Sequence, residues 1–453
     1  MNQIALKESN SLYYRFFRLT LINMLSTIMV PLAILVSLAF LGHLSEISHL
    51  AGVALAANIF ECIYFIFNFL RMSTSGITAQ SVGRGDREEM VLVLIRNSLI
   101  ALGLSLLLLI LQYPLRELAF AVLEGSPEVQ ASGIDYFNAC ILGAPGVLLN
   151  YVLIGWFIGR EESGKVFAIS AIGNLANILL NYLTIVRWNW ASTGAGFSQA
   201  LSQYMMLLVG LILCCQVVSR ADLKSVAKNL WHLPAFKSTF SLNGHLFVFV
   251  LTTVFSLGFF FELSGAMGAM TLTENALIGQ VFFLAMYAND GMALAAEALG
   301  GSFKGAGKID SLRPLVNLVA IASLLMASTF STVTVLFPQT VFGLLTDRAE
   351  VIETVKTYVS WLFPVLIFGN ISTVLKGYLV GLTEGKILRN ASFAAIVIGF
   401  APLSVAAWYF QSNHLLWLSI SMLFLIRTIL LGIYVPRTWN SNNYATKNMA
   451  LHN

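Results

Sequence analysis

Charge is what this chain has least of. Asp, Glu, Lys and Arg make up 11% of its 453 residues, against roughly 25% in an ordinary soluble domain. With 57% apolar residues and a mean hydropathy of +0.79, the chain cannot clothe itself in a polar surface, which excludes a soluble globular protein. Cysteine is scarce too. Cys62, Cys140, Cys214 and Cys215 all fall in apolar runs, so they read as small core residues and not as a disulfide framework or zinc site. Catalytic signatures are missing: there is no Walker loop, no His-Glu-x-x-His and no Gly-x-Ser-x-Gly. Nothing argues for an enzyme, a cofactor or a bound metal. The net charge of only +4 calls for no nucleic-acid partner.

Long apolar runs are what the chain has instead. Spans of about 20 residues cross a bilayer, and we read twelve, near 17–41, 51–72, 91–113, 134–158, 166–186, 193–218, 243–268, 272–299, 314–337, 357–381, 390–411 and 415–436. An even number of spans puts both termini on one side. That side carries most of the Lys and Arg, including Arg84, Arg160, Lys304 and Lys386, while Arg116, Arg187, Arg348 and Lys356 lie opposite. The positive-inside rule makes the basic side cytoplasmic. The start, up to Thr20, is a short polar and basic lead without a small-residue cleavage site, so no cleavable signal is expected.

The sequence also repeats itself. Gly83-Arg84-Gly85 returns 222 positions later as Gly305-Ala306-Gly307, and Gly155-x-x-x-Gly159 returns at the same offset as Gly377-x-x-x-Gly381. Two unrelated motifs at one offset mark two homologous halves. Six helices per half give a parallel repeat, with its pseudo-two-fold axis along the membrane normal. The expected architecture is all-α: a polytopic membrane protein of twelve helices in two pseudo-symmetric six-helix lobes, 1–225 and 226–453. The polar stretch Ser219 to Phe240 is expected to link them.

Several motifs resemble one transporter family. Phe69 to Gln80 with Gly83-Arg84-Gly85-Asp86 resembles the end of the second helix in multidrug and toxic compound extrusion (MATE) transporters. Tyr287-Ala-Asn-Asp290-Gly291 through Ala296-Glu297-Ala298 is similar to the eighth-helix pattern of their DinF-like branch, and Asn413-His414 to Arg427 adds a weaker match. The resemblance runs from about residue 17 to 437. It implies two six-helix lobes in a V around a central cavity. It also implies export of lipophilic, mostly cationic compounds in exchange for protons or sodium.

Acids inside spans are costly, roughly 2.5–3.5 kcal/mol each at mid-membrane on insertion scales, so each needs a partner, a cavity or a neutral form. Asp290 and Glu297 are seven residues apart in one span, a spacing that drifts only about 20° around a helix. Two coupled carboxylates on one face suit a proton-carrying site. Glu61 lies among aromatics in the second span, where structural and functional readings are even. Glu262, in the seventh, resembles an acidic position of the NorM-like branch. Pro31, in the first, resembles a family feature tied to helix bending. Pro145, Pro364 and Pro402 also lie within spans and allow kinks.

Departures from the family pattern concern three positions. Ser37 and Asn181 stand where the family usually has Asp, and Lys376 stands in place of Asp in Leu375-Lys376-Gly377. The usual amino-terminal ion site therefore does not carry over. Ser37, Asn177 and Asn181 can form a neutral hydrogen-bonding patch or simply tie helices together. Lys376 is expected either to pair with Asp290 or Glu297, or to snorkel to the surface. The reading is an ion-coupled antiporter of organic solutes, with protons (or sodium) as coupling ion, in a bacterial inner membrane and monomeric. A flippase for lipid-linked or anionic substrates and a non-transporting receptor are the alternatives.

Overall fold

The computed structural model describes residues 2–42, 47–122, 126–226, 229–230 and 232–440, with the side chains of 2–10, 30–35, 38, 47 and 122 outside that description. Every described element is helical. The first half contains α1 (Asn2–Gly42), α2 (Ile47–Ile66), α3 (Phe69–Arg84), α4 (Arg87–Ile110), α5 (Gln112–Val122), α6 (Pro127–Cys140), α7 (Ala144–Gly159), α8 (Ser163–Asn181), α9 (Ala191–Cys215) and α10 (Arg220–Val226). The second contains α11 (Leu233–Ala266), α12 (Ala269–Gly305), α13 (Leu312–Leu336), α14 (Pro338–Gly343), α15 (Ala349–Tyr358), α16 (Leu362–Gly381), α17 (Gly385–Ala395), α18 (Ala401–Phe410) and α19 (Asn413–Tyr434). Among the described residues, 11 stretches from Ser48–Arg84 to Asn413–Trp439 are long and apolar enough to cross a membrane. With α1, 41 residues long, they make the twelve spans read from the sequence. The chain is an all-α polytopic membrane protein.

Several spans are two helices joined end to end. A 3₁₀ turn at Ile141–Gly143 precedes α7, another at Val359–Trp361 precedes α16, and a π-helical turn at Ile396–Phe400 precedes α18. Pro145, Pro364 and Pro402 each fall in the first turn after such a joint. There a proline's missing N–H has no intrahelical partner to lose. These prolines lie within continuous membrane spans, as read from the sequence, each beside a local departure from α-helical geometry. Helix α1 is assigned without a break through Pro31; the Pro31 side chain, like His43, lies outside the described residues. The second span breaks at Phe67-Asn68 without a proline. The Asn68 side-chain oxygen accepts from Arg71 Nε at 2.8 Å there.

Two compact units emerge. One comprises Met1–Met24, Gly83–Gly85 and Gly244–Asn453, the other Leu25–Val82 and Asp86–Asn243. The first unit's core gathers Phe260, Phe282, Leu366, Phe400, Trp417 and Phe424. In the second, Phe60 lies 4.8 Å from Phe137 between ring centroids, and the fully buried Trp156 packs edge-on against Phe157 at 5.1 Å.

The sequence repeat is repeated in backbone detail. Gly85 and Gly307 hold φ of +71° and +70° just after α3 and α12, a left-handed helix end that only glycine adopts freely. A methyl at Gly155 or Gly159 would lie 2.4 Å from Arg71 O or 2.6 Å from Ser75 O, and at Gly377 or Gly381, 2.2 Å from Ala293 O or Glu297 O. Arg71 and Ala293, like Ser75 and Glu297, are themselves 222 positions apart. The pairs α3–α7 and α12–α16 thus make one and the same backbone-to-backbone crossing, for which a missing Cβ is the physical requirement.

The connection after Ser219 is held firmly. Arg96 of α4 is 1% exposed. It donates to Asn229 O at 2.8 Å and Leu230 O at 3.3 Å, with Glu89 at 3.4 Å. Arg87 Nε and Nη2 grip the two oxygens of Asp222 at 2.9 and 2.8 Å. Asn243 donates to Asn97 at 2.9 Å. A buried guanidinium demands such acceptors, so α10 and the start of α11 are moored to α4.

Candidate functional site

The carboxy-terminal cluster rests on the α12–α16 crossing. Gly377 and Gly381 bring α16 onto α12, and the register that follows puts Lys376 Nζ 3.6 Å from Asp290 Oδ1. The pair is partly screened: 19% of the Lys376 side chain and 39% of the Asp290 side chain are exposed. Glu297, two turns along α12, is only 1% exposed. Next to Asp290, Gly291 lets α1 approach α12: an added Cβ would fall 2.8 Å from Thr20 O. Asn289 completes the layer. Its amide nitrogen donates to Asn370 O at 3.0 Å and its oxygen accepts from Ser323 at 2.8 Å. Neither polar atom of the buried Asn370 side chain has a hydrogen-bond partner among the described residues.

The amino-terminal cluster is neutral throughout. Ser37 Oγ donates to Asn177 Oδ1 at 3.2 Å and accepts from Asn181 Nδ2 at 2.7 Å. Asn181 Nδ2 also reaches Asn177 Oδ1 at 3.1 Å, and Asn177 Nδ2 donates to Gln199 Oε1 at 2.9 Å. Ser202 lies 3.5 Å from the same Asn177 nitrogen. Helices α1, α8 and α9 are thereby tied by amides and hydroxyls, groups that exchange no proton near neutral pH. Gln199 was not singled out in the sequence. Its three-residue spacing from Ser202 in the middle of α9 is the signal that would have found it.

The structure thus brings Asp290 and Lys376 together, and Ser37, Asn177 and Asn181 together. Glu61 is exposed on α2 and Glu262 is exposed on α11, and neither belongs to these clusters. Outside the spans, Glu162 caps the turn before α8. Burial alone would raise its carboxyl, but hydrogen bonds from Arg160 and Lys165 at 2.9 and 3.0 Å hold it below the usual carboxylate range.

The sequence model of the MatE family matches the chain twice, over residues 23–183 and 246–405. The chain is 28% identical over 429 residues to DNA damage-inducible protein F of Escherichia coli, covering 94% of this chain and 93% of that one. The fold superposes on a eukaryotic MATE transporter, AtDTX14, with a TM-score of 0.82 and 17% identity, over 94% of this chain and 96% of that one. It superposes on a MOP superfamily transporter from Pyrococcus furiosus with a TM-score of 0.79 and 17% identity, over 94% and 95%. One match per half is what an internal duplication requires, and the E. coli relative is covered almost end to end. The chain belongs to the MatE family, the multidrug and toxic compound extrusion transporters.

Proposed function

We propose that this transporter is a proton-coupled antiporter that exports lipophilic or cationic organic solutes across a bacterial inner membrane, with its coupling acids in the carboxy-terminal half. It works as a monomer with both termini cytoplasmic, its lobes dividing near residue 225. The single observation that carries the reading is the Lys376–Asp290 pair at 3.6 Å. An ammonium beside that carboxylate already fills the place a sodium ion would take. Protonating Asp290 removes the attraction and frees Lys376, giving the half two charge states that a proton alone selects. Glu297, buried on the same helix, is the second carboxyl in reach of such exchange. The amino-terminal cluster supports the assignment by default, since Ser37, Asn177 and Asn181 cannot carry a proton.

Transport in proteoliposomes under an imposed proton or sodium gradient tests it. Uptake should follow the proton gradient in the wild type and vanish in Asp290→Asn while the protein still inserts. Sodium-driven uptake, or full activity in the Asp290→Asn, Glu297→Gln double variant, would overturn it.

A further inference from the structure

Arg427 on α19 is 3% exposed, and among the described residues no carboxylate meets it. Its Nη1 donates to Thr253 Oγ1 of α11 at 3.2 Å. Its guanidinium carbon lies 5.1 Å from the Phe249 ring and 5.9 Å from the Phe424 ring. Nε and Nη2 have no hydrogen-bond partner among the described residues. Those two atoms form one edge of the guanidinium, the side-on fork that takes both oxygens of a carboxylate or phosphate. Elsewhere in this chain the fork is used in just that way: Arg87 Nε and Nη2 hold the two oxygens of Asp222.

A buried charge with two idle donors is expensive, and the two rings offset only part of it. Purely structural service is a poor account of it, because a leucine or methionine would fill the same space without the cost. Other polar residues lie along the same side of α11. His245, Phe249 and Thr253 follow one another at four-residue steps on α11, and the contacts they make place them along one side of it. At the outer end of that row the half-buried His245 meets Arg389 of α17 at 3.3 Å. The partly exposed Arg389, donating to His245, therefore lies at the far end of the row from the buried fork.

We infer that Arg427, with Thr253, is a binding site for the oxyanion of an amphiphile, a phosphate or carboxylate head whose apolar body lies against Phe249 and Phe424. The ring contacts hold the guanidinium while the fork is empty, and the head enters from the His245–Arg389 end as α11 and α19 part. The site is separate from Asp290 and Lys376 and stands whether or not they couple transport to protons. The oxyanion belongs either to an exported solute or to an anionic lipid.

Thermal unfolding of the full-length protein in phosphatidylcholine nanodiscs, titrated with octyl phosphate, is the test, with octyltrimethylammonium as the cationic control. Octyl phosphate should raise the melting temperature of the wild type and the control should not. Arg427→Gln should weaken the apparent affinity by roughly tenfold or more, the loss expected for charge-assisted hydrogen bonds. Arg427→Lys keeps the charge and its ring contacts but lacks the fork, and should be weakened nearly as much. Nanodiscs containing phosphatidylglycerol separate the two sources. If they stabilise the wild type alone and abolish the octyl phosphate shift, the ligand is a lipid headgroup; if the shift persists, it is a solute. An absent shift in the wild type, an equal shift with the cationic amphiphile, or an unchanged affinity in Arg427→Lys would each overturn the assignment. Should Arg427→Gln not fold, Arg427→Lys and Thr253→Val carry the test.

Discussion

Ser75 and Glu297 occupy the same place in the two halves of the chain. Each lends its carbonyl oxygen to a crossing made by a glycine of the partner helix, Gly159 in one half and Gly381 in the other. The turns that follow match as well: Glu161 and Thr383 have φ of 59° and 58°, and Glu162 and Glu384 open α8 and α17 in nearly identical conformations. The side chains diverge on this shared backbone. One half has a serine, the other a buried acid. Asn68, in the place of Asp290, takes a hydrogen bond from Arg71 three residues on, whereas Asp290 finds its cation on a different helix. The duplication has kept what packing requires and released what chemistry uses. Backbone contact at 2.2–2.6 Å of a virtual Cβ tolerates nothing larger than glycine, while a polar side chain facing a partly open space is constrained only by its partners.

The sharpest way to break this comparison is to alter the acid of one half and the amides of the other. Asp290→Asn should abolish proton-driven transport, and Lys376→Ala should be almost as severe. If the two are a pair, the loss of thermal stability in Lys376→Ala should be partly reversed by adding Asp290→Asn, because the stranded charge then disappears. Lack of that recovery in the melting temperature of the double variant would detach Lys376 from Asp290, whatever the distance between them.

A smaller effect tests the part that both halves share. Gly159→Ala and Gly381→Ala should each lower stability by about 1–3 kcal/mol, the usual cost of overpacking, and to a similar degree. Melting curves that separate the two widely would mean that the crossings are not equivalent.

Much of this was legible in the sequence, for reasons that differ by element. The twelve spans were readable because bilayer thickness imposes a length, and the glycine crossing because a motif repeated at one offset. The Ser37–Asn177–Asn181 group was visible as an anomaly, polar residues where acids were expected. The second span's break at Phe67-Asn68 was not visible, since no proline marks it. Prolines 145, 364 and 402 were placed within spans, but the 3₁₀ and π turns beside them were not visible, because hydropathy merges two helical segments into one run. Burial of Arg96 was hidden because its acceptors are main-chain carbonyls of Asn229 and Leu230, about which side-chain pattern is silent.

In the amino-terminal cluster, smaller changes still are expected. Asn181→Ala should cost roughly 0.6 kcal/mol, the average for a hydrogen bond between membrane helices, and leave the coupling ion unchanged. Ser37→Asp should do the opposite: with an acid beside Asn177 and Asn181, a second titration should enter the pH dependence of transport. A pH profile identical to wild type in Ser37→Asp would show that the two halves differ by more than their side chains.

The mildest prediction concerns the mooring of the inter-half connection. The side-chain hydrogen bonds from Arg87, then the Ser219 backbone and hydroxyl at 2.8 Å each, hold the Asp222 carboxyl well below the usual carboxylate range. The sign follows from linkage. A carboxyl whose folded value is depressed stabilises the fold above its unfolded value near 4, and that contribution fades as pH falls toward the folded value. Asp222→Asn should therefore change little in acid and lower the melting temperature slightly at neutral pH, flattening the acid limb of the stability profile. The effect should be small because a surface ion pair is worth little and Arg96 still holds Asn229 and Leu230. Adding salt should erase the difference between wild type and Asp222→Asn. Arg96→Gln, by contrast, should lower the melting temperature at every pH and salt concentration, because its shortest bonds go to the carbonyls of Asn229 and Leu230, which do not titrate, and its burial excludes screening. An Asp222→Asn variant as unstable as Arg96→Gln at neutral pH would make the exposed pair, not the buried arginine, the anchor of α10.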